Sequence, residues 1–190
     1  SFDGYLCNHT FGTASKQCIK VNGRVKQHTG QIIAILDTVT IGYDKRLCCL
    51  KTGNQLLEFE STPIDSCQYN GSIYTILSNQ NLHVRNSDKN EQHQLTFQPS
   101  CLTVTDDFAI FGDTDSSAVY FHNLKNFQIE AFSFIKLGRV TTLSVFENKL
   151  AIGTDRRQVA VVDLNSKELI IDRQWTYHSA KILRVRWSPD

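Results

Sequence analysis

Asp113 and Asp115, in the polar stretch Gly112-Asp113-Thr114-Asp115, are carboxylates close enough in sequence to serve as a general acid and base. Six histidines (His9, His28, His83, His93, His122 and His178) and six cysteines (Cys7, Cys18, Cys48, Cys49, Cys67 and Cys101) supply the other reactive groups. A metal site needs such groups at short, characteristic spacings. No histidine pairs with a cysteine or carboxylate in that way, and no Cys-x-x-Cys occurs. Gly-x-Ser-x-Gly, the phosphate-binding P-loop and His-Glu-x-x-His are also absent. Turn capping accounts for Asp113 and Asp115 without any reaction. The sequence therefore implies a protein that is not an enzyme, with no catalytic residue, cofactor or metal.

The elements that carry these residues repeat. A polar turn centred on Asp or Asn recurs at Asp3, Asp44, Asn79, Asp115 and Asp155, with an apolar run three to four residues after each. The spacing, about 35 to 41 residues, with short strands and turns in each interval, predicts a β-propeller of the WD-repeat type. In the first whole unit the strands are expected at 31–36, 38–41, 47–50 and 55–59. In the second they fall at 63–69, 73–77, 82–84 and 92–97. The third gives 100–104, 108–111, 118–121 and 129–134, and the fourth 140–145, 150–152, 159–162 and 169–171. Four strands in about thirty residues leave no room for helices of 3.6-residue period. Residues 1–27 are expected to supply the last two strands of one blade, and 178–190 the first strand of another. The fold class expected is thus all-β, a partial WD-repeat β-propeller of about four complete four-stranded blades plus part blades at each end. Residues 1–190 are expected to be one fragment of a single propeller domain with both ends truncated, a view that the absence of methionine and a first residue of Ser also suggest.

Bulk properties narrow the partners. The formal net charge is +1, which gives no electrostatic case for nucleic acid or an anionic membrane. No apolar run approaches the ~18 residues of a membrane span. The cysteines are expected to be buried, reduced thiols of a cytosolic protein. No small-molecule substrate is implied.

Two segments match each other: His28-Thr29-Gly30-Gln31-Ile32 and His178-Ser179-Ala180-Lys181-Ile182. In WD repeats a His at this place, the Asp of the following turn and a Ser or Thr between them form a buried hydrogen-bond network. His28 and Asp44 fit that pair, and a buried carboxylate needs such partners. Asp115, Asp155 and His178 are assigned to the same structural role.

The stretch from Trp175-Thr176-Tyr177-His178 through Trp187-Ser188-Pro189-Asp190 resembles a late blade in the second propeller of the actin-interacting protein 1 (WD-repeat protein 1) family. Ser1-Phe2-Asp3-Gly4, Gly112 to Asp115 and Leu150 to Asp155 resemble other blades of that family, in order. The Trp-Asp dipeptide itself is missing, and the matching positions hold Thr52, Ser87, Asn123 and Asp163. The resemblance implies a cytoplasmic protein of the actin cytoskeleton that binds actin filaments and cofilin and promotes cofilin-dependent filament disassembly. A general cytosolic WD-repeat scaffold for complex assembly is the alternative. Side chains flanking the turn Asp residues, namely Tyr43, Lys45, Arg46, Asp113, Ser116, Arg156 and Arg157, are the expected protein-binding face, since Tyr and Arg favour such patches.

Overall fold

The computed structural model describes residues 14–15, 18–20, 24–25, 28–29, 31–133, 138–174 and 179–187. The regular structure among them is all β-strand, arranged in antiparallel sheets. Asp3, His178, Trp175–Tyr177 and Ser188–Asp190 lie outside the described residues.

Strands β1 (Ala14–Ser15), β2 (Cys18–Lys20) and β3 (Arg24–Val25) form a three-stranded sheet. Two strands were expected in this stretch. Strands of two or three residues are too short to show an alternating pattern, so the third was not legible.

Four four-stranded sheets follow, each a meander in which consecutive strands are neighbours. The first holds β4 (Ile32–Ile35), β5 (Val39–Gly42), β6 (Arg46–Cys49) and β7 (Gln55–Glu58). The second holds β8 (Pro63–Tyr69), β9 (Ser72–Leu77), β10 (Asn81–Arg85) and β11 (Asn90–Gln94). The third holds β12 (Pro99–Val104), β13 (Phe108–Asp113), β14 (Ala118–Asn123) and β15 (Ile129–Ser133). The fourth holds β16 (Val140–Phe146), β17 (Lys149–Thr154), β18 (Gln158–Asp163) and β19 (Leu169–Gln174). The chain divides into two compact units, residues 1–93 and 94–190.

Burial explains the strand order. The second strand of each sheet is covered on both faces: Val39 to Gly42, Tyr74 to Leu77, Ala109 to Asp113 and Leu150 to Thr154 are buried. Such strands read as continuous apolar runs. The fourth strands β7, β11 and β15 are exposed at every other position or more. This explains the one misplaced strand. The sequence places a strand at 92–97, but the strand is the polar Asn90–Gln94, and the apolar Leu95 and Phe97 are buried in the connection that follows it.

The first strand of each four-stranded sheet carries a bulge at the same place. The register slips between Ile32 and Ala34, Pro63 and Asp65, Pro99 and Cys101, and Val140 and Thr142. An extra residue there bends the strand and increases its twist. In the second unit the bulged residue also reaches the neighbouring inner strand. Ser100 Oγ donates to the Val140 carbonyl at 2.7 Å, and Thr141 Oγ1 donates to the Ile182 carbonyl. Residues 181–187 therefore lie beside β16 as the next first strand would, although they form no ladder. Their attachments are Ile182 N to the Thr154 carbonyl (3.0 Å) and Trp187 Nε1 to the Ser144 carbonyl (3.0 Å).

Each unit has its own core. In the first unit Val39, Ile41, Leu47, Phe59 and Leu77 interlock. In the second, Ile110, Val119, Phe121, Val140, Leu150, Ile152 and Val162 fill the space between the third and fourth sheets.

Candidate functional site

The bulges give a common count along all four sheets, and with it the turns between second and third strands can be compared. His28 stands four residues before Ile32 and is buried. Its Nδ1–H donates to Asp44 Oδ1 at 2.8 Å, and its Nε2 lies 3.0 Å from the buried Thr40 hydroxyl. The Thr29 amide donates to Asp44 Oδ2 at 2.8 Å. Burial raises the Asp44 pKa, but the Thr29 amide, the His28 hydrogen bond and charge, and the Arg46 amide outweigh it and leave the carboxyl below its ordinary range. Gly42 makes the pair possible: a Cβ there would lie 2.4 Å from His28 Nδ1 and 2.5 Å from Asp44 Oδ1.

The same place in the next two sheets is apolar. Phe59 stands four residues before Pro63, and Leu95 four before Pro99, both buried. Without an imidazole to face, the turns are rebuilt. In the second sheet the carboxylate and its partner exchange sides: Glu60, beside Phe59, accepts from Asn79 Nδ2 at 2.8 Å, from Asn81 Nδ2 and from Gln92 Nε2. The Asn79 and Asn81 amides hold the Glu60 carboxyl below its usual range. The Asn at position 79, a departure from the Asp pattern, is thus the donor that Glu60 requires.

In the third sheet the roles of the two carboxylates are the reverse of those expected. Asp113 was assigned to the exposed face, but it is 5% exposed. It accepts from the Asp115 amide at 3.1 Å and from the Ser116 hydroxyl at 2.6 Å. Asp115, assigned to the buried network, is exposed. Asp113 ends β13 and faces inward at the register place where Gly42 ends β5. Ser116 also serves the turn, accepting from the Ala118 amide at 3.1 Å. It is a partly covered capping residue and not a free contact.

In the fourth sheet the expected position is off by one residue. Residues 43–45, 78–80 and 155–157 form the three equivalent turns, each ending in a left-handed residue: Lys45 (φ 64°), Gln80 (φ 65°) and Arg157 (φ 66°). Counted from these, Arg156 and not Asp155 occupies the place of Asp44. Asp155 Oδ1 instead accepts from the Arg139 amide at 2.9 Å.

The remaining expected face residues divide between the units. Tyr43 is 50% exposed, Lys45 and Arg46 are half-buried, and Lys45 Nζ donates to the Glu60 carbonyl at 3.3 Å. Arg156 and Arg157 are exposed. Asp113 thus drops out, and within the second unit only the two arginines form an open face.

The turns between third and fourth strands share one capping position, which the sequence places at Asn123 and Asp163 and one to three residues away from it in the other two sheets. Asn123 Oδ1 accepts from the amides of Lys125 and Asn126, and Asp163 Oδ1 from those of Asn165 and Ser166. Asn86 Oδ1 does the same for Asp88 and Lys89, so Asn86 and not Ser87 holds this place in the second sheet. In the first sheet it is Cys49 and not Thr52. Hydrogen bonds from the Thr52 side chain and amide, and from the Lys51 amide, lower the Cys49 pKa against a small effect of burial. The expectation of buried thiols holds for Cys48 and Cys101, whereas Cys49 and Cys67 are partly exposed. Burial pushes the Cys67 thiol up. Iodoacetamide should therefore modify Cys49 ahead of Cys48 and Cys67, with a pH midpoint below that of a free thiol near 8.5. Peptide mapping of partially alkylated protein checks this, and faster modification of Cys67 would refute it.

These features define a class: an all-β chain of repeated, blade-like four-stranded antiparallel sheets. No protein-family model and no curated protein matches the sequence. Among solved structures the chain is similar to the computationally designed Ika8 protein, with a TM-score of 0.70 over 93% of this chain at 15% identity. The chain spans 61% of the Ika8 chain. It is also similar to the computationally designed Ika4 protein, with a TM-score of 0.57 and 14% identity, covering 70% of this chain and 84% of that one. At such identities the likeness concerns the fold alone.

Proposed function

We propose that these sheets are blades of a WD-type propeller that binds other proteins through its turns and promotes cofilin-dependent disassembly of actin filaments. The observation that carries the blade reading is the fourfold recurrence of one bulge, with one turn geometry in three of the four sheets and different side chains presented each time. A scaffold that holds its backbone constant while its turn residues vary is suited to recognition. The His28–Asp44–Thr40 network supports the WD assignment within it. The actin reading rests on the sequence resemblance of 175–190 and the three stretches that agree with it in order. It places the protein in the cytoplasm, at the actin cytoskeleton.

Co-sedimentation with actin filaments, with and without cofilin, tests the proposal. The expected result is pelleting that increases with cofilin, accompanied by more actin left in the supernatant. Absence of pelleting under both conditions would overturn it in favour of a general protein-assembly scaffold.

A further inference from the structure

The turns between second and third strands differ in charge. Tyr43 to Lys45 is balanced, Ser78 to Gln80 is neutral and Thr114 to Ser117 carries one negative charge, while the fourth sheet presents Arg156 and Arg157. Two more cations come to this turn from other parts of the chain. The Asp155 amide donates to the Arg139 carbonyl at 3.0 Å, and the Arg139 amide donates back to Asp155 Oδ1 at 2.9 Å. The Ile182 amide donates to the Thr154 carbonyl at 3.0 Å, which brings the preceding residue, Lys181, near the end of β17 where this turn begins. Arg139, Arg156, Arg157 and Lys181 are all exposed. Gly138 adopts φ 76°, and a Cβ there would lie 2.6 Å from Arg156 Cγ and 2.8 Å from its Cδ. The stem of Arg156 therefore packs across Gly138, next to Arg139.

Only one carboxylate, Asp155, belongs to the turn, and it is held by a backbone amide. Among the described residues, no ion pair engages any of the four cations. Like charges gathered this way repel one another, and an anionic partner relieves the repulsion.

We infer that Arg139, Arg156, Arg157 and Lys181 form a docking site for an acidic segment of a partner protein. Guanidinium forks match carboxylates in two-point contacts. Leu183, 74% exposed and two residues beyond Lys181, adds an apolar contact for a leucine placed among the partner's acids. Nucleic acid is the weaker fit, because it draws on many phosphate contacts along a basic stripe, whereas this cluster is confined to one turn of a chain of net charge +1. The inference rests on reading the turns as a protein-binding face but not on actin as the partner. Its test contains no actin, so failure here leaves the co-sedimentation result standing.

The probe is a fluorescein-labelled peptide, Glu-Asp-Leu-Glu-Asp-Glu, titrated with the 190-residue chain at low salt and read by anisotropy. Saturable binding is expected. The pair Arg156→Glu and Arg157→Glu should weaken it about ten-fold or more. Lys51→Glu with Lys89→Glu, an equal change in net charge on exposed residues of the other unit, should alter it by about two-fold at most. Arg139→Ala and Lys181→Ala should each weaken it about three-fold. These single variants decide the matter if the double reversal lowers the melting temperature. Equal weakening by both double variants, no effect of Arg139→Ala or Lys181→Ala, tighter binding of a single-stranded oligodeoxynucleotide than of the peptide, or no saturable binding would each overturn the inference.

Discussion

Replacing Phe121 by Ala is expected to remove about 3–5 kcal/mol of stability, measured by urea or thermal unfolding of the whole chain. Phe121 is fully buried at the centre of the second unit's core. It meets Phe108 edge-on at 6.0 Å and Phe132 edge-on at 5.3 Å between ring centroids. Truncation therefore loses the burial of the ring, two edge-to-face contacts and the volume the ring fills.

Its second role is electrostatic. Lys167, held in a left-handed conformation (φ 60°) between β18 and β19, places Nζ 3.9 Å from the Phe121 centroid. The same ammonium lies 4.8 Å from Phe108 and 5.7 Å from Phe132. Three ring faces and edges thus surround a cation of the fourth sheet with aromatics of the third. Burial lowers the Lys167 pKa, with Glu130 and Asp163 acting against it. Lys167→Ala should cost about 1–2 kcal/mol, and Lys167→Met, which keeps the stem, should recover part of that loss. Because Lys167 has lost its principal ring once Phe121 is gone, the double substitution should fall short of the sum by about 0.5–1.5 kcal/mol. A Phe121→Ala protein within about 1 kcal/mol of the parent would refute the packing argument. Strict additivity would refute the coupling.

The second large effect concerns His28. His28→Ala should cost about 2–4 kcal/mol, since it opens a buried space and leaves Asp44 Oδ1 without its imidazole donor. Gly42→Ala should approach the lower end of that range by forcing His28 and Asp44 apart. The contribution of Asp44 has a defined dependence on pH. Its folded pKa is depressed below the ordinary aspartate range, so the folded state binds the proton less readily than the unfolded state. Its stabilisation is fully present above the unfolded value and is lost as pH falls through the folded one. The difference in unfolding free energy between the parent and Asp44→Asn should be constant near neutrality and shrink below about pH 4. A difference that grew on acidification would mean that the carboxylate is not the stabilised form.

Much of this was legible in sequence because it is local. Short apolar runs and turn residues marked fifteen of the sixteen strands in the four-stranded sheets, since strands and turns are short-range structures with strong composition preferences. His28 and Asp44 were legible because their partnership follows a repeating pattern of spacing. The displacement at 92–97 has a physical cause: Leu95 and Phe97 are apolar residues buried in a connection and not in a strand.

What the sequence by itself determined, then, is the all-β repeat, the place of its turns and one hydrogen-bonded pair. Only the tertiary structure decided which side chain at each turn faces inward. A shift of one residue along an extended chain sends a side chain to the opposite face. A single step of this kind puts Arg156 where Asp155 was expected, whereas Asp113 and Asp115 differ because Asp113 ends β13 and is buried while Asp115 lies in the turn beyond it and is exposed. The gathering of Lys167 with three phenylalanines, and of Arg139 and Lys181 with Arg156, joins residues distant in sequence. No local pattern encodes such meetings, because strand pairing and packing between sheets bring them together.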